Sequence, residues 1–96
     1  MKLLTQEILK RIPSLYANDE TPTEEQLIHV KFFTPWSNWT WYATEYDPTE
    51  GRFYGLVEGL EKEWGYFMLS ELESVTGPFG LKIERDMGFG PVKVSE

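Results

Sequence analysis

Apolar residues near the start of the chain recur at the spacing of one face of an α-helix. They occupy positions 3, 4, 8, 9 and 12, with Thr5 placed to cap the first turn and Pro13 placed to end the last. The pattern predicts a short amphipathic helix over residues 5–12. The segment 18–25 that follows is polar, acidic and interrupted by Pro22, so it is predicted to be a loop and a mobile segment.

The next part of the chain changes to the alternation of β-strands. In residues 27–33, Ile28, Val30 and Phe32 point to one face while His29 and Lys31 point to the other. Turn-forming residues at 34–38 separate this strand from a second one at 39–46. The second strand is predicted to place Trp39, Trp41 and Ala43 on one face and Thr40, Tyr42, Thr44 and Tyr46 on the other. Since both faces carry aromatic rings, we expect a central strand with one face on the core and one partly covered or used for binding.

Turn chemistry then predicts how the sheet continues. Pro48 and Gly51 suit a tight turn into a third strand at 52–58, and a loop at 59–65 leads to a fourth at 66–69. Ser70 and Glu73 fit a capping box that opens a second short helix, which Gly77 and Pro78 end. The pattern predicts an α+β fold with one antiparallel four- or five-stranded meander and two short helices packed on one side.

The glycine- and proline-rich tail at 76–96 is predicted to be an extended arm docked on a single domain spanning residues 1–96. A strand at 81–85 is expected within it.

Composition narrows the functional classes. The 96 residues carry a formal net charge of −7, which repels phosphate, so direct binding of duplex nucleic acid or of an anionic membrane is not expected. The absence of cysteine excludes disulfides and thiolate metal sites. No apolar run is long enough for a signal peptide or a membrane span. We therefore expect a cytoplasmic protein without a cofactor.

The negative charge is concentrated in the middle of the chain. Between positions 45 and 73 there are eight carboxylates and two basic side chains. One interpretation is a carboxylate-rich face that attracts a basic surface of a partner protein, with Glu45, Asp47, Glu58, Glu61 and Glu63 as binding residues. The other is a solvated surface that keeps a small protein soluble. The sequence leaves both open.

Two pairs of carboxylates could instead hold a metal ion. Glu45 and Asp47 are two positions apart on a predicted strand, and so are Glu84 and Asp86, so each pair shares a side. If the two pairs converged, they could form a hydrolytic metal centre acting on nucleic acid or nucleotides. The alternative is a structural or surface role. His29, the single histidine, is interpreted as an ordinary, partly exposed strand residue.

The aromatic residues have a structural and a functional interpretation. Core packing accounts for most of them, while Trp36, in the first turn, is the residue we expect to be an exposed binding anchor. A further possibility is a small-ligand site in an aromatic pocket, which would need a concave surface beside Trp39 or Tyr42.

Several segments together resemble a bacterial family of about this length. They are residues 29–35, 37–47, 53–59, 65–67, 70–72 and 83–86, which are spread over nearly the whole chain. That family is labelled a domain of unknown function and recurs on plasmids, conjugative elements and phage-like regions. The resemblance implies a stand-alone intracellular domain in a mobile-element setting and supplies no catalytic residue. The expected function is a non-enzymatic binding protein that inhibits a host nucleic-acid-binding or defence protein.

Overall fold

The computed structural model describes residues 2–96, which form two short α-helices and seven β-strands. In chain order these are α1 (Gln6–Arg11), β1 (Leu27–Ile28), β2 (Val30–Phe33), β3 (Thr40–Asp47), β4 (Arg52–Glu58), β5 (Lys62–Met68), α2 (Leu69–Ser74), β6 (Glu84–Arg85) and β7 (Val92–Lys93). Single 3-10 turns lie at Thr23–Glu25 and Pro78–Gly80.

The main sheet has five antiparallel strands in the order β5-β4-β3-β2-β6. Strands β2 to β5 form the predicted meander, and β6 returns from the tail to pair with β2. A separate two-stranded sheet joins β1 to β7. The predicted α+β class with a five-stranded antiparallel sheet is confirmed. Neither helix within residues 2–96 has the length and apolar character needed to cross a bilayer.

One face of the main sheet carries the core. Phe53 packs between Phe32 and Phe67 with ring centroids 5.4 and 5.2 Å apart, on three neighbouring strands. Ile8 of α1 and Leu72 of α2 are buried in the same cluster. Both helices therefore cover this face, as their apolar stripes predict. Thr5 caps α1 as expected, because its Oγ1 accepts a hydrogen bond from the Ile8 amide.

A β-bulge in β3 changes the predicted assignment of side chains to faces. Residues up to Ala43 keep their register with β4, but the pairing shifts between Ala43 and Glu45. The extra residue, Thr44, is fully buried and its hydroxyl donates to the Tyr54 carbonyl oxygen at 3.1 Å. Because one inserted residue reverses the faces beyond it, Tyr46 joins the core with Ala43, and its predicted position on the opposite face is wrong.

The opposite face of the sheet, here called the aromatic face, carries a second set of rings. Cross-strand pairing brings together Tyr42, Leu56 and Trp64, and then Tyr54 and Tyr66. Leu56 is buried beneath its neighbours, whereas the rings around it are only partly covered or exposed. The expectation that both faces of the central strand are aromatic is confirmed.

Two predicted boundaries are wrong. Strand β5 begins at Lys62 rather than 66, because a tight turn with the Gly59 amide bonded to the Glu61 carbonyl lets Glu58 pair with Lys62. Helix α2 begins at Leu69, so Ser70 lies inside it, and the Glu71 carboxylate accepts a hydrogen bond from the Met68 amide. The second turn follows prediction, with Gly51 at φ +69°.

Candidate functional site

The eight central carboxylates do not share one surface. Asp47 and Glu50 lie at the β3–β4 turn, and Glu73 on α2 lies at the same end, since the Leu69 amide donates to the Gly51 carbonyl. The residues Glu58, Glu61 and Glu63 lie at the β4–β5 turn. The seven residues of β4 separate these ends by about 20 Å, at roughly 3.3 Å per residue. Apart from Glu45, which is buried within β3, the charge therefore forms two groups at opposite ends of the sheet.

The β4–β5 end combines negative charge with exposed apolar surface. Leu60 is 94% exposed at the turn and Trp39 is 39% exposed beside it. With Val57, Glu61 and Glu63 they border an open cavity of about 300 Å³. We call these five residues the acidic tip. Glu61 and Glu63 form no ion pair within 4.0 Å among residues 2–96, so their charge is available to a partner.

Trp39 is held in place at the tip. Its indole stacks on Trp41 with ring centroids 5.9 Å apart and an interplanar angle of 28°. The ring also lies directly on the backbone of Gly59, where a Cβ atom would come within 2.3 Å of it. A large, partly exposed ring with little freedom is the kind of residue that anchors protein interfaces.

Glu58 lies at the same end but on the aromatic face. It is half-buried and lies close to the Tyr42 side chain. Burial raises the pKa of Tyr42 above its ordinary value, and the nearby Glu58 carboxylate raises it further. Of the three predicted binding carboxylates near the β4–β5 turn, the structure thus brings Glu61 and Glu63 together and places Glu58 on the other side of the sheet.

The expectation that Trp36 is an exposed anchor is wrong. Its ring is half-buried and packs against the core cluster. A Cβ atom at Gly77 would lie 2.4 Å from the indole, so the tail backbone passes directly over the ring. The turn residue is covered because the tail, which is distant in sequence, returns to this point.

The four candidate metal ligands are not assembled into one site. Glu45 and Asp47 are on β3, whereas Glu84 and Asp86 are aligned with Phe33 and Lys31, two strands away. That separation is about 10 Å across the sheet. Asp86 forms an ion pair with Lys31 at 4.0 Å, and the Asp47 Oδ1 accepts the Thr49 amide. No group of three or more potential ligands occurs among residues 2–96.

Glu45 is an internal carboxylate. It is only 5% exposed, and its two oxygens accept hydrogen bonds from the Tyr16 and Asn18 amides at 2.9 and 3.1 Å. These bonds hold the loop after α1 against β3. The sequence predicts that the charge of Glu45 lies on the protein surface. The bulge places Glu45 on the aromatic face, and the loop after α1 buries it there.

His29 is also buried rather than partly exposed, so that expectation is wrong. It is 7% exposed, lies where β1 ends and β2 begins, and its carbonyl accepts a hydrogen bond from Arg11 of α1 at 2.9 Å. Burial lowers the pKa of His29, and the charge of Arg11 lowers it further. Helix α1 covers the ring that strand alternation placed on the polar face.

A family model described as a protein of unknown function, DUF2958, matches residues 3–95. The chain belongs to the DUF2958 family. No curated protein and no solved structure matches it significantly. The DUF2958 assignment confirms the predicted resemblance to a domain-of-unknown-function family, and the match covers all of the elements described above.

Sequence reasoning missed Leu60 of the acidic tip, because the pattern assigns it to a loop. It named Trp39 only beside a possible small-ligand pocket and not as part of a protein-binding surface. A signal was present for Leu60, since it is a single large apolar residue between Gly59 and Glu61 in a predicted turn. Trp39 gave no such signal, because strand alternation makes it equivalent to Trp41.

Proposed function

We propose that the protein is a non-enzymatic binding protein whose acidic tip docks onto a basic surface of a partner protein. The observation that carries this proposal is the combination at one end of the sheet of an exposed leucine, an immobilised tryptophan and unpaired carboxylates. Apolar anchors supply affinity, while the surrounding charge supplies orientation and rate of association.

The class of partner follows from the chemistry of the tip. A partner needs basic side chains for Glu61 and Glu63 and an apolar contact for Leu60 and Trp39. Grooves that bind nucleic acid are basic and often contain aromatic or apolar platforms. We propose a nucleic-acid-binding or defence protein of the host as the partner, in the cytoplasmic, mobile-element setting that the family resemblance implies.

Affinity capture with the full chain as bait tests the proposal. The retained proteins are compared between wild type and the double variant Glu61→Lys/Glu63→Lys, at about 0.1 M and about 1 M salt, where the Debye length falls from about 10 to about 3 Å. We expect a specific partner whose affinity falls at least about tenfold on charge reversal and also falls in high salt. A second variant, Leu60→Ser, should weaken capture without changing charge.

The matched control is Glu50→Lys/Glu73→Lys, which changes the charge equally at the other end of the sheet. Both residues are exposed, so the control should fold and retain the partner. A partner that is lost equally with both double variants responds to net charge alone. That result, or a partner indifferent to salt and to all three variants, contradicts the proposal.

A further inference from the structure

A second concave surface lies on the aromatic face, away from the acidic tip. Its floor is formed by Tyr54 of β4 and Tyr66 of β5, and its wall by the loop after α1, including Tyr16 and Asp19. The open cleft has a volume of about 420 Å³, within the range typical of small-ligand sites. We call it the tyrosine cleft. Tyr54 is four residues from Glu58 along β4, or about 13 Å from the tip end.

The wall of the tyrosine cleft is held in a defined position. The Glu45 carboxylate binds the amides of Tyr16 and Asn18, as described above. From the other side, the Gln26 amide nitrogen donates to the carbonyls of Asn18 and Thr21 at 3.3 and 3.0 Å. The Tyr66 hydroxyl donates to the Tyr16 hydroxyl at 3.4 Å and joins wall to floor. The cleft is therefore largely preformed, which lowers the entropy lost on binding.

The described residues that line the cleft include two carboxylates and no basic side chain. Glu45 borders the cleft, is more than nine-tenths buried, and forms no ion pair within 4.0 Å with any of residues 2–96. Its two amide donors stabilise the carboxylate but do not neutralise it. Asp19 adds a second carboxylate at the rim. A buried charge without a counter-ion favours a ligand of opposite sign.

The rings of the cleft also suit a cation. Tyr54 and Tyr66 stand edge to face, with centroids 5.1 Å apart and an interplanar angle of 62°, which makes an aromatic corner. The Arg52 guanidinium carbon already lies 5.1 Å from the centroid of the Tyr66 ring. Arg52 is not one of the residues that line the cleft, so this contact shows that the Tyr66 ring attracts a cation without placing one in the cleft.

We infer that the tyrosine cleft binds an organic cation, with an alkylated ammonium group seated against Tyr54 and Tyr66 and its charge facing Glu45 and Asp19. A bare metal ion fits less well, because it would need several oxygen ligands and no group of three potential ligands exists among residues 2–96. The inference goes beyond the function proposed for the tip and does not depend on it.

Titration followed by NMR of the tyrosine rings tests the inference. Tetramethylammonium chloride is added to the full chain, with sodium chloride at matched ionic strength and tert-butanol, a neutral compound of similar shape, as comparisons. We expect saturable shifts of the Tyr54 and Tyr66 ring signals with the ammonium salt alone. Equal shifts with tert-butanol, or no saturable shift, would overturn the inference.

Variants separate the contributions of ring and charge. Tyr66→Leu and Asp19→Asn alter exposed residues, and each should weaken binding by up to about tenfold. Glu45→Gln should weaken it further, and its circular dichroism spectrum shows whether the loop remains folded. The matched control Glu73→Gln removes one exposed charge on α2, which covers the other face of the sheet, and should leave binding unchanged. Equal weakening by Glu73→Gln would show a response to net charge only and contradict the site.

A last comparison identifies the source of the cation. A short peptide containing trimethyl-lysine is titrated beside free tetramethylammonium. Tighter binding of the peptide indicates that the ligand is a side chain of another protein. Equal binding indicates a free small cation. Both outcomes support the inference. Failure of both probes to bind overturns it, whatever the acidic tip does in the capture experiment.

Discussion

At the scale of single residues, the carboxylate of Glu45 on β3 accepts hydrogen bonds from the backbone of a loop that is distant in sequence. Tyr16, one of its two amide donors, has φ +69°, a conformation that is uncommon for a residue other than glycine. The hydrogen bond from its amide to Glu45 compensates part of that strain. The same carboxylate thus shapes the loop and leaves negative charge in the tyrosine cleft.

His29 leads to a prediction about pH. Its pKa is lowered in the folded protein, so the unfolded chain binds more protons as the pH falls below the ordinary histidine value of 6.5. The free energy of unfolding should therefore decrease as the pH falls through that value, until the lowered pKa is passed. The slope contributed by His29 cannot exceed about 1.4 kcal/mol per pH unit. Urea denaturation between pH 7.5 and pH 5 measures it.

The control for this prediction is His29→Phe, which keeps a ring at the site but does not titrate. The Nδ1 atom has no hydrogen-bond partner among residues 2–96, so replacing it removes no bond there. Carboxylates titrate in both proteins, and the difference between the two pH profiles isolates the histidine. Parallel profiles would mean that His29 keeps its ordinary pKa in the folded state.

At the scale of elements, the register of β3 with β4 depends on the bulge, and the close approach of the two strands depends on one glycine. A Cβ atom at Gly55 would lie 1.9 Å from the carbonyl oxygen of Tyr42, on the neighbouring strand. Gly65, which pairs with Gly55 from β5, has no atom of another described residue within 4 Å of its Cβ position, apart from its two neighbours in the chain. Gly55 therefore permits the backbones of β3 and β4 to approach closely. Gly65 has space for a side chain, so no such contact requires glycine at that position.

This difference predicts opposite effects of the same substitution. Gly55→Ala should lower the free energy of unfolding by about 1–3 kcal/mol, because β3 must shift to relieve the overlap. Gly65→Ala should raise it by roughly 0.5–1 kcal/mol, because alanine loses less backbone entropy in a strand. Thermal or urea denaturation of both variants provides the comparison. Similar losses for both would show that the approach of β3 to β4 is looser than the structure indicates.

Much of this element structure follows from local sequence. The strands and turns of the meander are predictable because alternation and turn residues act within a few positions, as at Pro48 and Gly51. The bulge at Thr44 is not predictable, since no turn residue marks it and a threonine suits an ordinary strand. The inserted residue explains why Tyr46 shares the core face with Ala43, whereas the burial of Glu45 also depends on the loop after α1.

At the scale of the whole molecule, the tail completes the structure. β6 forms an edge of the main sheet, β7 pairs with β1, and Ile83 is buried in the core cluster. Gly77 lies against Trp36. The last twenty-one residues thus contribute core, sheet edge and cover, which a composition rich in glycine and proline does not indicate.

The contribution of the tail can be measured with two neighbouring substitutions. Ile83→Ala should lower the free energy of unfolding by about 2–5 kcal/mol, as for other buried aliphatic residues. Leu81→Ala, two positions earlier on an exposed side chain, should have an effect within about 0.5 kcal/mol. Urea denaturation of the full chain gives both values. Equal, small effects would show that the tail packs only loosely on the sheet.

The sequence by itself determined the fold class, the meander, the helix before it and the family, because these depend on local periodicity, turn chemistry and overall residue pattern. The tertiary structure alone decided which charged and aromatic groups are available. Burial depends on segments that are far apart in the chain: α1 covers His29, the loop after it covers Glu45, and the tail covers Trp36. Leu60 and Trp39 remain exposed because nothing among residues 2–96 returns to cover the β4–β5 end.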